Sequence, residues 1–136
     1  MIKQIIRDTF FLQQKSTPAT QEDVHIMKDM IDTLQANHDA CVGMAANMIG
    51  YLKDIIVFYD GKMICVMVNP KIINQKGIYT CEEGCLSLEG KRMTGRYHEI
   101  TVNYLDMNFH KHTKKYKGYT AEIIQHEMDH LEGKII

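Results

Sequence analysis

The chain has no segment that approaches membrane-spanning length, and its first residues, Met1-Ile2-Lys3-Gln4-Ile5-Ile6-Arg7-Asp8, break an apolar run with Lys3, Arg7 and Asp8. The first absence excludes a transmembrane helix, and the second excludes the continuous apolar region of a secretory signal. Net charge is nearly absent as well, at −1 in 136 residues, so bulk electrostatics dictates no nucleic-acid or membrane partner. Without an export signal, the four cysteines (Cys41, Cys65, Cys81 and Cys85) are expected to be reduced cytoplasmic thiols, available to a metal rather than paired. Internal repeats and low-complexity linkers are also missing. What remains is a chain with 45% hydrophobic residues, expected to form one domain over residues 1–136.

Thr20 can cap a helix with Glu22 and Asp23 in its first turn, and Val24, Met27, Ile31 and Leu34 follow at helical spacing. This predicts an amphipathic helix over roughly residues 21–36, with His25 and His38 exposed. A β-rich middle comes next: Ile55 to Tyr59 as a strand, Asp60-Gly61 as a turn and Met63 to Val68 as the partner strand. Asn69-Pro70 is expected to end that hairpin, Ile72 and Ile73 to begin another short strand, and Ile100 to Leu105 to form a half-buried one. The basic run from His110 to Lys117 reads as a solvated hairpin tip, because its only aromatic is Tyr116, so no specific nucleic-acid binding is expected. A last helix is expected to start at Thr120 and to stop at Gly133. Helix, strands and helix in that order give an α+β class, with antiparallel β segments packed around a C-terminal helix and preceded by an N-terminal helix.

That last helix carries Gln125-His126-Glu127-Met128-Asp129-His130. His126 and His130 lie one turn apart on one face, so both imidazoles can reach a single metal ion with Glu127 beside it. A catalytic site of this kind needs a third protein ligand and an open position. Only six residues follow His130, and Ile136 stands where a metzincin would place its third histidine. The third ligand is therefore sought upstream. Cys85, in Cys81-Glu82-Glu83-Gly84-Cys85-Leu86-Ser87, is the strongest candidate, with Gly84 allowing close backbone approach and the Leu86 amide near the open position. Cys81, Cys65 and Cys41 read as small buried apolar residues.

Glu83-Gly84-Cys85-Leu86-Ser87 followed by Gln125-His126-Glu127-Met128-Asp129-His130 resembles the second and third signature motifs of the peptide deformylases. The first motif of that family, two glycines alternating with apolar residues, two alanines, any residue and then glutamine, is matched by Cys41-Val42-Gly43-Met44-Ala45-Ala46-Asn47-Met48. The resemblance implies antiparallel strands wrapped about the motif helix and removal of the formyl group from N-formyl-methionyl peptides. It implies Cys85, His126 and His130 as ligands of one divalent metal, usually ferrous iron, with zinc, nickel or cobalt able to replace it. It also implies Glu127 as general base and acid, and the Leu86 amide as a donor to the oxyanion. Val42, Gly43 and Gly84 are implied to line the cleft for an extended substrate.

Two departures stand out. Cys41 replaces the first glycine, and Met48 replaces the glutamine whose side chain is the second oxyanion donor in the family; a thioether donates no hydrogen bond. Asn47 could supply an amide only through a shift of backbone register. Alongside deformylation, two other functions are therefore weighed: an amidase acting on another small N-acyl substrate, and a non-catalytic metal protein that recognises peptide N-termini. The ribosome is the macromolecular partner to be tested against the basic run.

Overall fold

A computed structural model describes residues 1–136. Three α-helices, α1 (Thr9–Leu12), α2 (Val24–Ala36) and α3 (Gly118–Leu131), accompany five strands. The strands are β1 (Gly43–Ala45), β2 (Ile55–Asp60), β3 (Met63–Cys85), β4 (Leu88–Leu105) and β5 (Lys111–Lys117), joined as one antiparallel sheet in chain order. The expected α+β class is what the chain adopts.

Thr20 does cap, but what it caps first is a 3-10 turn, Gln21–Asp23, that leads into α2. The Asp23 carboxylate accepts from the Thr20 amide and the Thr20 hydroxyl oxygen accepts from Glu22. Along α2, Met27, Met30 and Leu34 are fully buried, each worth about 1.5–3 kcal/mol of burial. Val24 and Ile31 pack at the margin of the same cluster, and His25 and His38 are exposed as expected.

Strand alternation then divides the interior. Ile55 and Val57 of β2 face the α2 cluster, while Ile56 and Phe58 face a second cluster beneath α3, so the sheet sits between the two helices. This arrangement puts α3 on a rigid β floor.

Four expectations about the strands and the last helix need correction. Asp60 pairs with Met63, so the β2–β3 turn is Gly61-Lys62 rather than Asp60-Gly61, and Gly61 takes φ +65° there. Asn69-Pro70 does not end the hairpin: β3 runs through it, absorbing Pro70 in a register irregularity between Val68 and Lys71 where Asn69 has φ 50°. Ile72 and Ile73 therefore belong to β3, and Ile100 to Leu105 to the longer β4. The basic run is not a hairpin tip but the edge strand β5, with Tyr116 turned inward against Phe58 and Lys115 and Lys117 directed to Glu99. Lysines on an edge strand also discourage pairing with another sheet. α3 begins at Gly118, two residues before the expected Thr120, and Gly133 follows its end at φ +77°.

No helix is long and apolar enough to cross a membrane. All four thiols are free, but only Cys41 is buried; Cys65 and Cys81 are half-buried, unlike the buried cysteines expected of them.

Candidate metal centre and its cleft

α3 is held against the sheet by a side chain inside its own motif. Gln125 accepts from the Tyr97 amide and donates to the Tyr97 carbonyl, both at 2.8 Å, so the helix is pinned to β4 one residue before His126. Ala121, Ile124 and Leu131 fill the core below. The opposite face carries His126 and His130 toward the end of β3, where Cys85 stands.

Three donor atoms, from Cys85, His126 and His130, lie within 4.8 Å of one another. The two imidazole Nε2 atoms are 3.1 Å apart, a separation at which one must carry a proton and the other must not. Their pKa values split accordingly. Burial lowers that of His126, but hydrogen bonds with Cys85 and Glu83 outweigh it and raise the value to about 10. Burial, helped by the neighbouring His126 and Arg96 charges, depresses His130 to about 3. A divalent cation satisfies both lone pairs and releases that proton. One thiolate with two imidazoles also suits first-row transition metals. The residues present fit a metal.

Behind the ligands lies a buried ionic network that the sequence did not announce. The Nδ1 atom of His126 meets Glu83 Oε1 at 2.7 Å. Arg96 donates from Nη2 to Glu83 Oε1 and from Nε to Oε2, at 2.7 and 3.0 Å, and from Nη1 to Asp129 Oδ2 at 2.7 Å. Burial raises the Glu83 pKa, but the bonds from His126 and Arg96 outweigh it and hold the carboxyl at about 2. Glu83 thus fixes the ring of His126 with Nε2 toward Cys85. Replacing Arg96 by Met is expected to leave Glu83 underpaired and to weaken metal affinity about 10- to 100-fold, read by competition with a chromogenic chelator. Unchanged affinity in a folded Arg96→Met protein would refute the role.

Glu127 lies beside the metal ligands, buried, with Oε1 lacking any hydrogen-bond partner; burial pushes its pKa up to about 7. Gly43 on β1 makes room for it. A Cβ at Gly43 would stand 2.8 Å from Ile123 Cγ2 and 2.9 Å from Glu127 Oε2, so any larger residue there would push one of these side chains aside. Gly43→Ala is therefore expected to displace the carboxylate and to cut turnover at least about tenfold while the metal stays bound. Full turnover in that variant would show that Glu127 tolerates displacement.

Gly84 differs from Gly43. A Cβ there would meet Gly90 O and Lys91 Cγ at 3.6 Å, ordinary contact, so the close approach expected at Gly84 is not what requires glycine.

Cys85, Glu127 and His126 open onto a cleft of about 430 Å³ that Val42, Gly43, Gly84 and Leu86 also line. The expected site residues are thus brought together, and His130 sits behind them, fully buried. The Leu86 amide, in the turn between β3 and β4, has no backbone partner. Cys41 lies in the same wall, its thiol donating to Gly43 O at 2.7 Å, and its φ is not positive, so that position does not require glycine. Met48 lines the cleft where the motif has glutamine. Asn47 points elsewhere: its amide donates to His130 O at 3.1 Å, with no register shift to bring it forward.

The sequence resembles known proteins from end to end. It is 54% identical over 136 residues, all of both chains, to a peptide deformylase of Clostridium beijerinckii. Among solved structures, a peptide deformylase from Legionella pneumophila superposes with a TM-score of 0.90 at 33% identity, covering 99% of this chain and 83% of the other. A class I type b peptide deformylase from Acinetobacter baumannii with Met-Ala-Ser bound superposes with a TM-score of 0.88 at 25% identity, covering 98% and 96%. The family profile described as polypeptide deformylase matches residues 2–136. A helix-borne histidine pair completed by a cysteine from the β3 end, in a chain matched along this whole length, places the protein in the polypeptide deformylase family.

Proposed function

We propose that this chain is a metal-dependent hydrolase that removes the formyl group from the N-terminal methionine of new polypeptides, releasing formate. The observation that carries the reading is the convergence of Cys85, His126 and His130 beside a buried, unpartnered Glu127 carboxylate at the floor of an open cleft. Neither an amidase for another N-acyl substrate nor a non-catalytic N-terminus binder has comparable support, because the relatives matched over the full chain are peptide deformylases.

Cys85, His126 and His130 hold the metal, with ferrous iron the expected occupant and zinc, nickel or cobalt compatible with the same donors. When bound, the metal supplies Lewis acidity and lowers the pKa of water. The chain's own residues supply the rest. Glu127 takes a proton from the attacking water, keeps it in a pocket shielded from solvent, and passes it to the departing amine. Holding that proton suits a carboxyl that burial has already shifted toward neutral pH. The free Leu86 amide donates to the oxygen that becomes negative on the formyl carbon. Val42 and Gly84 form the two sides between which an extended peptide backbone lies.

Nascent chains place this activity in the cytoplasm. Of the β5 lysines, Lys115 and Lys117 engage Glu99, Lys114 lies over the Tyr116 ring and Lys111 makes no ion pair, so Lys111 is the free charge that a ribosome contact would use.

Formate release from formyl-Met-Ala-Ser by anaerobically prepared, iron-loaded protein tests the reading. Turnover that disappears on chelation and returns with iron is the expected result. Stoichiometric iron without formate release would overturn it.

A further inference from the structure

Two neighbouring residues of the N-terminal segment bond to the two loops that carry positions 48 and 86. The Ile6 amide donates to Met48 O at 2.8 Å, and Arg7 donates from Nη1 to Leu86 O at 3.1 Å. The segment that presents them is itself fixed. At one end the Lys3 amide donates to Thr33 Oγ1 on α2 at 2.9 Å, and at the other Asp8 caps α1 by accepting from the Phe10 amide at 3.0 Å. Between these ties Ile5 packs against the α2 cluster, as the Leu86 side chain does. Arg7 thus reaches Leu86 from a tied backbone, although its own side chain is exposed and does not line the cleft.

The turn that Arg7 reaches has few other restraints. Leu86 and Ser87 are the two residues between Cys85 and Leu88, which pair with each other across the hairpin. The ladder shifts register just before them, between Gly84 and Cys85, so regular pairing of β3 with β4 does not extend unbroken to the turn. The Ser87 hydroxyl is buried without a partner, and the Leu86 amide has no backbone partner. Rotation of the turn would swing the Leu86 amide relative to Cys85, the residue that precedes it. That direction matters more here than in a site with two donors, because the Met48 thioether in the same cleft donates no hydrogen bond.

We infer that Arg7 is a positioning residue: by holding Leu86 O from outside the cleft, it fixes the direction in which the Leu86 amide meets the oxygen that becomes negative. The inference rests on the deformylase reading and adds to it a residue that acts through the turn. Its effect belongs to the transition state, where the donor must be aligned, so it shows in kcat rather than in KM. An exposed side chain away from the core contributes little to global stability, so positioning can be separated from folding.

The test compares the parent with Arg7→Met, which keeps the aliphatic stem and loses every donor, and with Arg7→Lys, which keeps a cationic donor. All three are loaded with iron and assayed on formyl-Met-Ala-Ser. Arg7→Met is expected to lower kcat about tenfold, with KM, iron content and melting temperature nearly unchanged. Arg7→Lys is expected to return kcat to within about threefold of the parent. Hydrogen–deuterium exchange of the zinc-loaded proteins gives a readout independent of turnover: the stretch from Gly84 to Leu88 is expected to exchange severalfold faster in Arg7→Met, with Arg7→Lys between the two. Unchanged kcat in Arg7→Met, a loss that Arg7→Lys shares in full, or a loss that follows lowered iron content or melting temperature overturns this inference while leaving deformylation intact. Equal exchange in the three proteins does the same. Absence of turnover in the parent overturns both.

Discussion

Glu127→Gln is expected to lower kcat about 10²- to 10⁴-fold, the range for losing a positioned acid–base group, with iron still bound in stoichiometric amount. Glutamine keeps the shape that Gly43 accommodates but cannot take or return a proton. The same substitution is expected to stabilise the metal-free fold at alkaline pH. The Glu127 carboxyl ionises at about 7 in the fold against an ordinary 4.5, because burial disfavours its charge. A raised pKa means that the fold prefers the protonated form, so this preference is fully present below about 4.5 and is lost as pH rises through about 7. At pH 8 the buried charge costs the metal-free parent about 3 kcal/mol relative to the neutral amide. Thermal melts of the stripped proteins should therefore coincide at pH 4.5 and diverge at pH 8, with Glu127→Gln the more stable. A parent as stable as the variant at pH 8 would mean that Glu127 is not held in a desolvated pocket. Stability given up at the residue that moves the proton is the trade expected of an active site.

How much of this could be read from the sequence depends on how locally each feature is encoded. His126, Glu127 and His130 were legible because helical spacing alone puts the two imidazoles on one face. Cys85 stands in a short cysteine- and glycine-bearing segment far from them in sequence, and it is the third member of the cluster. The extent of β3 and β4 was not legible. Asn69-Pro70 looks like a stop, and only its tolerance as an irregularity in a long ladder, paired to β4 on both sides, lets the strand continue. Arg96 was equally hidden: it joins Glu83, 13 residues away, to Asp129, 33 residues away, and no periodicity links the three. Two of the three do carry a local signal, since Glu83 shares a β3 face with Cys85 and Asp129 follows His126 by about one helical turn. The Gln125 anchor has no local signature, because the Tyr97 backbone it grips is supplied by a strand distant in sequence.

Met48→Gln is expected to raise kcat by about 100- to 1000-fold with little change in KM, the reverse of the loss seen when an oxyanion donor is removed. The backbone that carries position 48 is already fixed. Ala46–Ile49 forms a 3-10 turn closed by Gly50 at φ +95°, and Met48 O accepts from the Ile6 amide at 2.8 Å. Methionine and glutamine are close in length and shape, so the amide would enter the volume that the thioether now occupies in the cleft wall. Asn47 cannot substitute in the parent, because its amide is committed to His130 O and its neighbour's direction is different. The parent is left with the Leu86 amide as the free backbone donor at this end of the cleft. An unchanged kcat in Met48→Gln would mean that the Leu86 amide and the metal already stabilise the oxyanion fully. A gain confined to KM would mean that position 48 binds substrate without following the charge into the transition state. The expected gain in kcat alone would show that the ligands and the proton-transfer group are complete in this chain, and that turnover is limited by one missing hydrogen bond.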